Sequence, residues 1–232
     1  MLHRLDKDQG KKYTFITKSN WMDKMEAKDV ILENDIFTKY NATINNLDGE
    51  LIICSDINKI DGFCKKIIRE TYSEYLDFIK KRDFKKEQWV YNILDGTAEQ
   101  EKILFRDERL VIIPTYTWSD HNDLAKMHIL TFPMEKILHS IRDLDGSHIE
   151  LLEYMKLKTS EIIKSTYGFE SDIIKMYLHY MPSTYHLHIH FVLVSNIDVN
   201  SSCEYSHELN TVIENLKINF DYYKLVTLNN RI

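Results

Sequence analysis

The sequence predicts an α+β protein: an antiparallel sheet with helices in a larger C-terminal domain, preceded by a small α+β N-terminal domain. Three observations predict it. Short runs of β-type residues bounded by turn signals recur along the chain. One long apolar stripe at helical spacing, Ile149, Leu152, Met155, Thr159, Ile162 and Ile163, stands among them. Residues 173–180 and 186–194 flank Met181-Pro182-Ser183-Thr184 as the arms of an antiparallel hairpin.

Composition sets the bounds. The 232 residues suffice for one large or two small domains, and 44% hydrophobic content supports a real core. Six glycines and three prolines are too few for long disordered linkers. A formal net charge of -6 argues against a protein that grips long nucleic acid by its backbone, yet leaves room for a short nucleotide in a pocket. Cys54, Cys64 and Cys203 are odd in number and dispersed, which reads as free thiols in a reducing compartment. The first residues lack the apolar segment of a signal peptide, and no apolar run approaches the ~20 residues of a membrane span. A soluble intracellular protein is expected, in the cytoplasm or in the nucleus as well.

The elements follow in order. Residues 12–18 read as a strand, 21–33 as mixed helical, and 37–44 and 50–55 as strands about a Leu47-Asp48-Gly49 turn. Residues 60–81 read as helical from the spacing of Phe63, Ile67, Ile68, Tyr72, Tyr75 and Ile79. The charge run from Lys80 to Lys86 reads as a solvated joint, so the expected domains are 1–85 and 86–232. Residues 102–106 and 109–113 read as paired strands ended by Pro114, and 127–132 as a further strand. Ser147 and Glu150 form a capping-box pair for the helix that Gly168 stops. Residues 204–218 close with a helix and 222–228 with a strand.

Chemistry concentrates in the hairpin. Of ten histidines, His179, His186, His188 and His190 fall within twelve residues. On a strand His186, His188 and His190 would share one face, with Leu187, Ile189 and Phe191 on the other. Three readings compete. A strand can merely be histidine-rich. Neutral imidazoles can bind a metal, although i, i+2, i+4 ligands spread along a strand and no HExxH or CxxC accompanies them. Or the run is the histidine-triad motif, His-φ-His-φ-His-φ-φ with φ apolar, which residues 186–192 match at every position. In that chemistry a neutral imidazole attacks phosphorus, and an unperturbed pKa of ~6.5 supplies the lone pair at neutral pH.

The stretch Tyr177-Leu178-His179-Tyr180-Met181-Pro182-Ser183-Thr184-Tyr185-His186-Leu187-His188-Ile189-His190-Phe191 closely resembles the scavenger mRNA decapping enzymes of the histidine-triad superfamily. Further blocks agree in order and spacing: Gln88-Trp89-Val90-Tyr91-Asn92-Ile93-Leu94-Asp95 with Ala98-Glu99, Val111-Ile112-Ile113-Pro114 with Trp118, and Ile141-Arg142-Asp143-Leu144 with His148 and Leu151-Leu152. Ile68-Arg69-Glu70-Thr71 and Asn34-Asp35-Ile36 look like the family's N-terminal part. The resemblance implies a histidine-triad-like sheet in the C-terminal domain and a dimerisation or lid role for the N-terminal one. It implies hydrolysis of the triphosphate bridge of 7-methylguanosine cap dinucleotides or short capped oligonucleotides, with release of 7-methylguanosine monophosphate. A covalent histidyl intermediate, no metal or other cofactor, and a homodimer with exchanged N-terminal parts are also implied.

By motif position His188 would be the nucleophile, flanked by His186 and His190, with His179 completing the shell. Trp89 matches a tryptophan that stacks on the cationic methylated base, an attraction worth ~0.5–2 kcal/mol. Glu99 matches a carboxylate that accepts from the guanine edge. Pro114, Thr115, Tyr116, Ser183 and Asn34 complete the implied substrate-binding set. The chain also departs from the family. Tyr116 replaces an aliphatic residue, so it could sandwich the base with Trp89. Thr117 replaces a lysine, Tyr205 an arginine and Thr184 a tyrosine of the phosphate site. Two lost cations should weaken binding or slow turnover, with Lys126 and Lys136 as candidate substitutes. Two rivals remain: a histidine-triad hydrolase of dinucleoside polyphosphates or nucleoside phosphoramidates, and a cap-binding protein that sequesters fragments.

Overall fold

The structure, a computed structural model, describes residues 2–7, 11–16, 25–33, 37–44, 47–54, 67–196 and 205–231. Asn34, Cys64 and Cys203 lie outside the described residues. The chain is α+β with antiparallel sheets and divides into two compact units, 1–66 and 67–232. Among the described residues no helix is long and apolar enough to cross a membrane.

The first unit carries β1 (Leu2–Lys7), β2 (Lys11–Ile16), β3 (Met25–Glu33), β4 (Phe37–Ile44) and β5 (Leu47–Cys54). They form one antiparallel sheet in the order β1-β2-β5-β4-β3. Two expectations change here. Residues 25–33 are a strand, not mixed helix: they pair along β4, with register shifts around Val30. Leu47, Asp48 and Gly49 are not a turn but already strand, pairing with Ile44, Thr43 and Ala42.

The second unit begins with β6 (Ile67–Glu70) and α1 (Tyr72–Lys81), so the long helix expected over 60–81 is a strand followed by a short helix. Thr71 is the break. Its hydroxyl accepts from the Glu74 amide while the Glu74 carboxylate accepts from the Thr71 amide, a capping box that fixes the helix start. β6 pairs with β13 (Leu228–Arg231), and the Tyr75 hydroxyl donates to Asp143 at 2.8 Å. These bonds hold residues 67–85 on the second unit, so the boundary falls before residue 67 rather than at residue 85.

The central sheet is antiparallel, in the order β12-β10-β11-β9-β8-β7. Its strands are β7 (Phe105–Arg106), β8 (Leu110–Pro114), β9 (His128–Pro133), β10 (Ile174–His179), β11 (Ile189–Leu193) and β12 (Ser206–Glu208). Alternation assigns two faces. Leu110, Ile112, Ile129, Met176, Leu178, Ile189, Phe191 and Leu193 form a core with Leu152, Met155 and Ile163 of α3 (Ile149–Tyr167) and Leu209, Val212 and Ile213 of α4 (Leu209–Ile218). Each such side chain contributes about 1.5–3 kcal/mol on full burial. On the opposite face Val111, Ile113 and Phe132 pack against Val90, Ile93 and Leu94 of α2 (Gln88–Leu94).

The ends of α3 refine the sequence reading. Gly168 stops it in the left-handed region at φ 77°, as expected. The capping side chain is Asp145 rather than Ser147, and it caps the 3-10 turn Gly146–His148 that leads into α3. Its carboxylate accepts from the Ser147 amide at 3.1 Å and its own amide donates to His148 Nδ1 at 3.0 Å. Glu150 pairs instead with Arg109 at 3.1 Å. At the C-terminal end, 206–208 form a strand ahead of α4, and 222–228 hold α5 (Tyr222–Leu225) before β13, not one strand.

Candidate active site

The histidines gather on the same side of the sheet as α2, beside Phe132. His190 lies in β11, whereas His186 and His188 precede that strand, so the three do not share one regular strand as expected. Their rings still converge. His188 and His190 have ring centroids 4.9 Å apart, and Phe132 lies 5.5 Å from His188 and 6.0 Å from His186. His179, at the end of β10, stands 4.2 Å from His190, and Tyr177 stacks on His190 at 5.0 Å and 3°.

Backbone carbonyls fix two tautomers. A carbonyl only accepts, so His188 Nδ1 donates to the His186 oxygen at 2.7 Å and His186 Nε2 donates to the Pro133 oxygen at 2.9 Å. In the neutral rings the lone pairs are therefore on Nε2 of His188 and Nδ1 of His186. Burial keeps them neutral: it lowers the pKa of His186 to about 4 and that of His188 below the ordinary value. Burial also holds His190 well below its ordinary value, reinforced by the neighbouring imidazoles of His188, His179 and His128. Among the described residues, no three His, Cys, Asp or Glu converge as a metal-binding group.

The implied base-binding residues lie along α2 and the segment after it. Trp89 is 40% exposed in the first turn of α2 and meets Phe132 edge-on at 6.0 Å. The tryptophan and the central histidine thus flank the same phenyl ring. Glu99 sits past the helix at φ 53°, its carboxylate paired with Lys102 at 3.1 Å. Tyr116 is 87% exposed, and Pro114 and Thr115 are buried. Thr115 donates its amide to the His128 oxygen at 3.0 Å and shares a hydroxyl bond with Thr117 at 2.8 Å. Ser183 is exposed in the hairpin segment.

The departures acquire neighbours. Tyr205 packs its ring 4.2 Å from that of His179. Lys136 pairs with Asp95 at 2.6 Å and lies over the Tyr91 ring, which meets His186 edge-on at 5.8 Å. Lys126 is exposed and paired with Asp123 at 2.9 Å. Sequence reasoning missed two further histidines. His128 of β9 is 2.8 Å from His190, Nε2 to Nδ1. His139 packs its ring at a tilt against Phe84 at 4.5 Å and lines a small cleft with His179, His186 and His188. The available signal for His128 was its period-2 relation to Leu130 and Phe132, which puts it on the triad face.

Residues 88–204 match the family described as scavenger mRNA decapping enzyme C-term binding. The chain belongs to the scavenger mRNA decapping enzyme family. It is similar to the m7GpppX diphosphatase of Caenorhabditis elegans, 35% identical over 213 residues, which is 85% of this chain and 68% of that protein. The Ascaris suum m7GpppX diphosphatase is 32% identical over 230 residues, 92% of this chain and 76% of its own length. For the human m7GpppX diphosphatase the values are 30% over 210 residues, 84% and 62%. The family match begins at Gln88, the first residue of α2, and spans all four histidines of the expected set.

Proposed function

We propose that this chain hydrolyses the triphosphate bridge of 7-methylguanosine cap dinucleotides or short capped oligonucleotides, releasing 7-methylguanosine monophosphate. The relatives are named as m7GpppX diphosphatases, and membership of their family supports the class of reaction. The observation that carries the mechanism is the bond from His188 Nδ1 to the His186 carbonyl. It leaves the Nε2 lone pair for attack on the phosphorus of the 7-methylguanosine nucleotide. A nitrogen–phosphorus bond forms, the bond to the bridging oxygen breaks, and the diphosphate leaves with a proton. Water then attacks the same phosphorus, gives up a proton and frees His188.

The exposed face of Trp89 would take the cationic base, and Glu99 its polar edge after giving up Lys102. The reading includes a cytoplasmic homodimer with exchanged N-terminal parts, for which sedimentation at graded concentration is the check. A second reading has support from Tyr205, whose ring occupies one side of His179 where a cation was expected. It is a cap-sequestering protein of slow turnover.

The test uses 7-methylguanosine-triphospho-guanosine and its unmethylated counterpart, in chelator, with His188→Asn alongside. Release of 7-methylguanosine monophosphate from the methylated substrate alone, lost in His188→Asn, is expected. Tight binding without products would favour sequestration. Equal cleavage of both substrates would remove the cap assignment and leave a general histidine-triad hydrolase.

A further inference from the structure

His190 has one ring nitrogen in a hydrogen bond and one buried without a partner. Its Nδ1 lies 2.8 Å from Nε2 of His128, and its Nε2 has no hydrogen-bond partner among the described residues. Two imidazoles joined in this way can hold a proton between them in two arrangements. When His190 donates to His128, the free Nε2 of His190 carries a lone pair. When His128 donates to His190, that Nε2 carries a proton, which a phosphate oxygen would accept. His190 is 7% exposed, whereas His128 is half-buried. A positive charge on the pair therefore costs less desolvation on His128.

We infer that His128 is a positioning residue that relays protons through His190: the pair gives one proton to the departing group and takes one back from the attacking water. The inference rests on the proposed hydrolysis and assigns its proton transfers. The step balances. The charged pair starts with both nitrogens of His128 protonated and with His190 protonated at Nε2. His190 Nε2 passes its proton to the leaving oxygen as His128 Nε2 passes one to His190 Nδ1. Two neutral rings remain, and the pair has fallen from +1 to 0. When water attacks the histidyl-phosphorus bond, its proton enters at His190 Nε2 and the same two transfers run backwards.

The surroundings favour charge on the outer ring. His190 faces His179 and Tyr177 from β10 and His188 from the segment before β11, and Lys175 lies over Tyr177 at 5.5 Å. Tyr205, joined to β12, packs on His179. The turn ahead of β9 brings the Lys126–Asp123 pair. A proton resting on His190 would sit among imidazoles. Burial and the imidazoles both disfavour its charged form. On His128 it is one ring further from His188 and His179.

A substrate series separates relay from mere packing. Aryl esters of 7-methylguanosine monophosphate, from 2,4-dinitrophenyl to phenyl, demand progressively more help from a proton donor. In His128→Gln, whose amide can donate to His190 Nδ1 but cannot carry a proton, kcat should fall about 10²-fold on the phenyl ester. On the dinitrophenyl ester it should stay within about threefold. His128→Phe should show the same dependence on the leaving group. An equal loss along the series, or no loss anywhere, overturns the relay. Wild-type protein that cleaves the esters but leaves capped dinucleotide intact would refute the proposed function while the series still judges the relay. Nitrogen-15 NMR titration of the free protein gives a reading without turnover. The first proton taken up by the pair should settle on His128, and its settling on His190 overturns the inference.

Discussion

At the scale of residues, burial and two carbonyls decide the protonation of the histidines. His186 is fully buried, and its folded pKa of about 4 lies below the ordinary ~6.5. The sign follows from proton counting: between those values the unfolded chain binds the extra proton, so stability rises with pH. The contribution is fully present above pH ~6.5 and lost as pH falls through about 4, a difference of about 3 kcal/mol. Urea unfolding across that window should show the rise, and His186→Asn should flatten it by a similar amount. An unchanged slope in the variant would mean that His186 is not the neutral, buried group its surroundings describe. Much of this site was legible in the sequence, because His186, His188 and His190 alternate with apolar residues in an unbroken run. His128 was not legible. It is a lone histidine in an apolar strand, and its partner lies 62 residues away.

At the scale of elements, the parts read from sequence were those whose local signal agreed with their long-range pairing. The long α3 and the β8, β9 and β10 strands are of this kind. Where short mixed segments gave weak periodicity, partners decided. Residues 25–33 became a strand by pairing with β4, and 67–70 by pairing with β13. The tie that holds β6 and α5 to the second unit is Arg142, fully buried in the Ile141–Asp143 turn. Its guanidinium donates to the carbonyls of Tyr223 at 2.8 Å, Val226 at 2.7 Å and Glu70, and its Nε faces the Glu70 carboxylate at 3.4 Å. Removing it leaves the buried Glu70 carboxylate, which also accepts from the Tyr180 hydroxyl, without its cation and takes the guanidinium from three carbonyls, which should cost about 3–5 kcal/mol. Arg142→Met should lose that much in urea unfolding, and Arg142→Met with Glu70→Gln should recover part of it. A loss under 1 kcal/mol would show that solvent reaches these groups.

At the scale of the whole molecule, charge and boundary both follow from how cations are spent. The run from Lys80 to Lys86 looked like a linker, yet Arg82 within it pairs at 2.6 Å with a fully buried Glu87, whose carboxylate also accepts the Tyr185 amide at 3.0 Å. That carboxylate anchors the chain one residue before His186, so the run belongs to the second unit. Lysines along the site are likewise engaged: Lys102 with Glu99, Lys126 with Asp123 and Lys136 with Asp95. A net charge of -6 works against the molecule's gathering a long polyanion. Its recognition of a capped fragment should come from short-range contacts at the base and phosphates. Raising KCl from about 20 to about 200 mM shortens the screening length severalfold. Over that range kcat/KM for a cap dinucleotide should stay flat or rise, because screening weakens the repulsion between protein and substrate. A protein that neutralises many phosphates loses about 10³–10⁵ in affinity over a comparable range. A fall of tenfold or more in kcat/KM would place unpaired cations at the site and overturn the assignment of recognition to the base and the imidazoles.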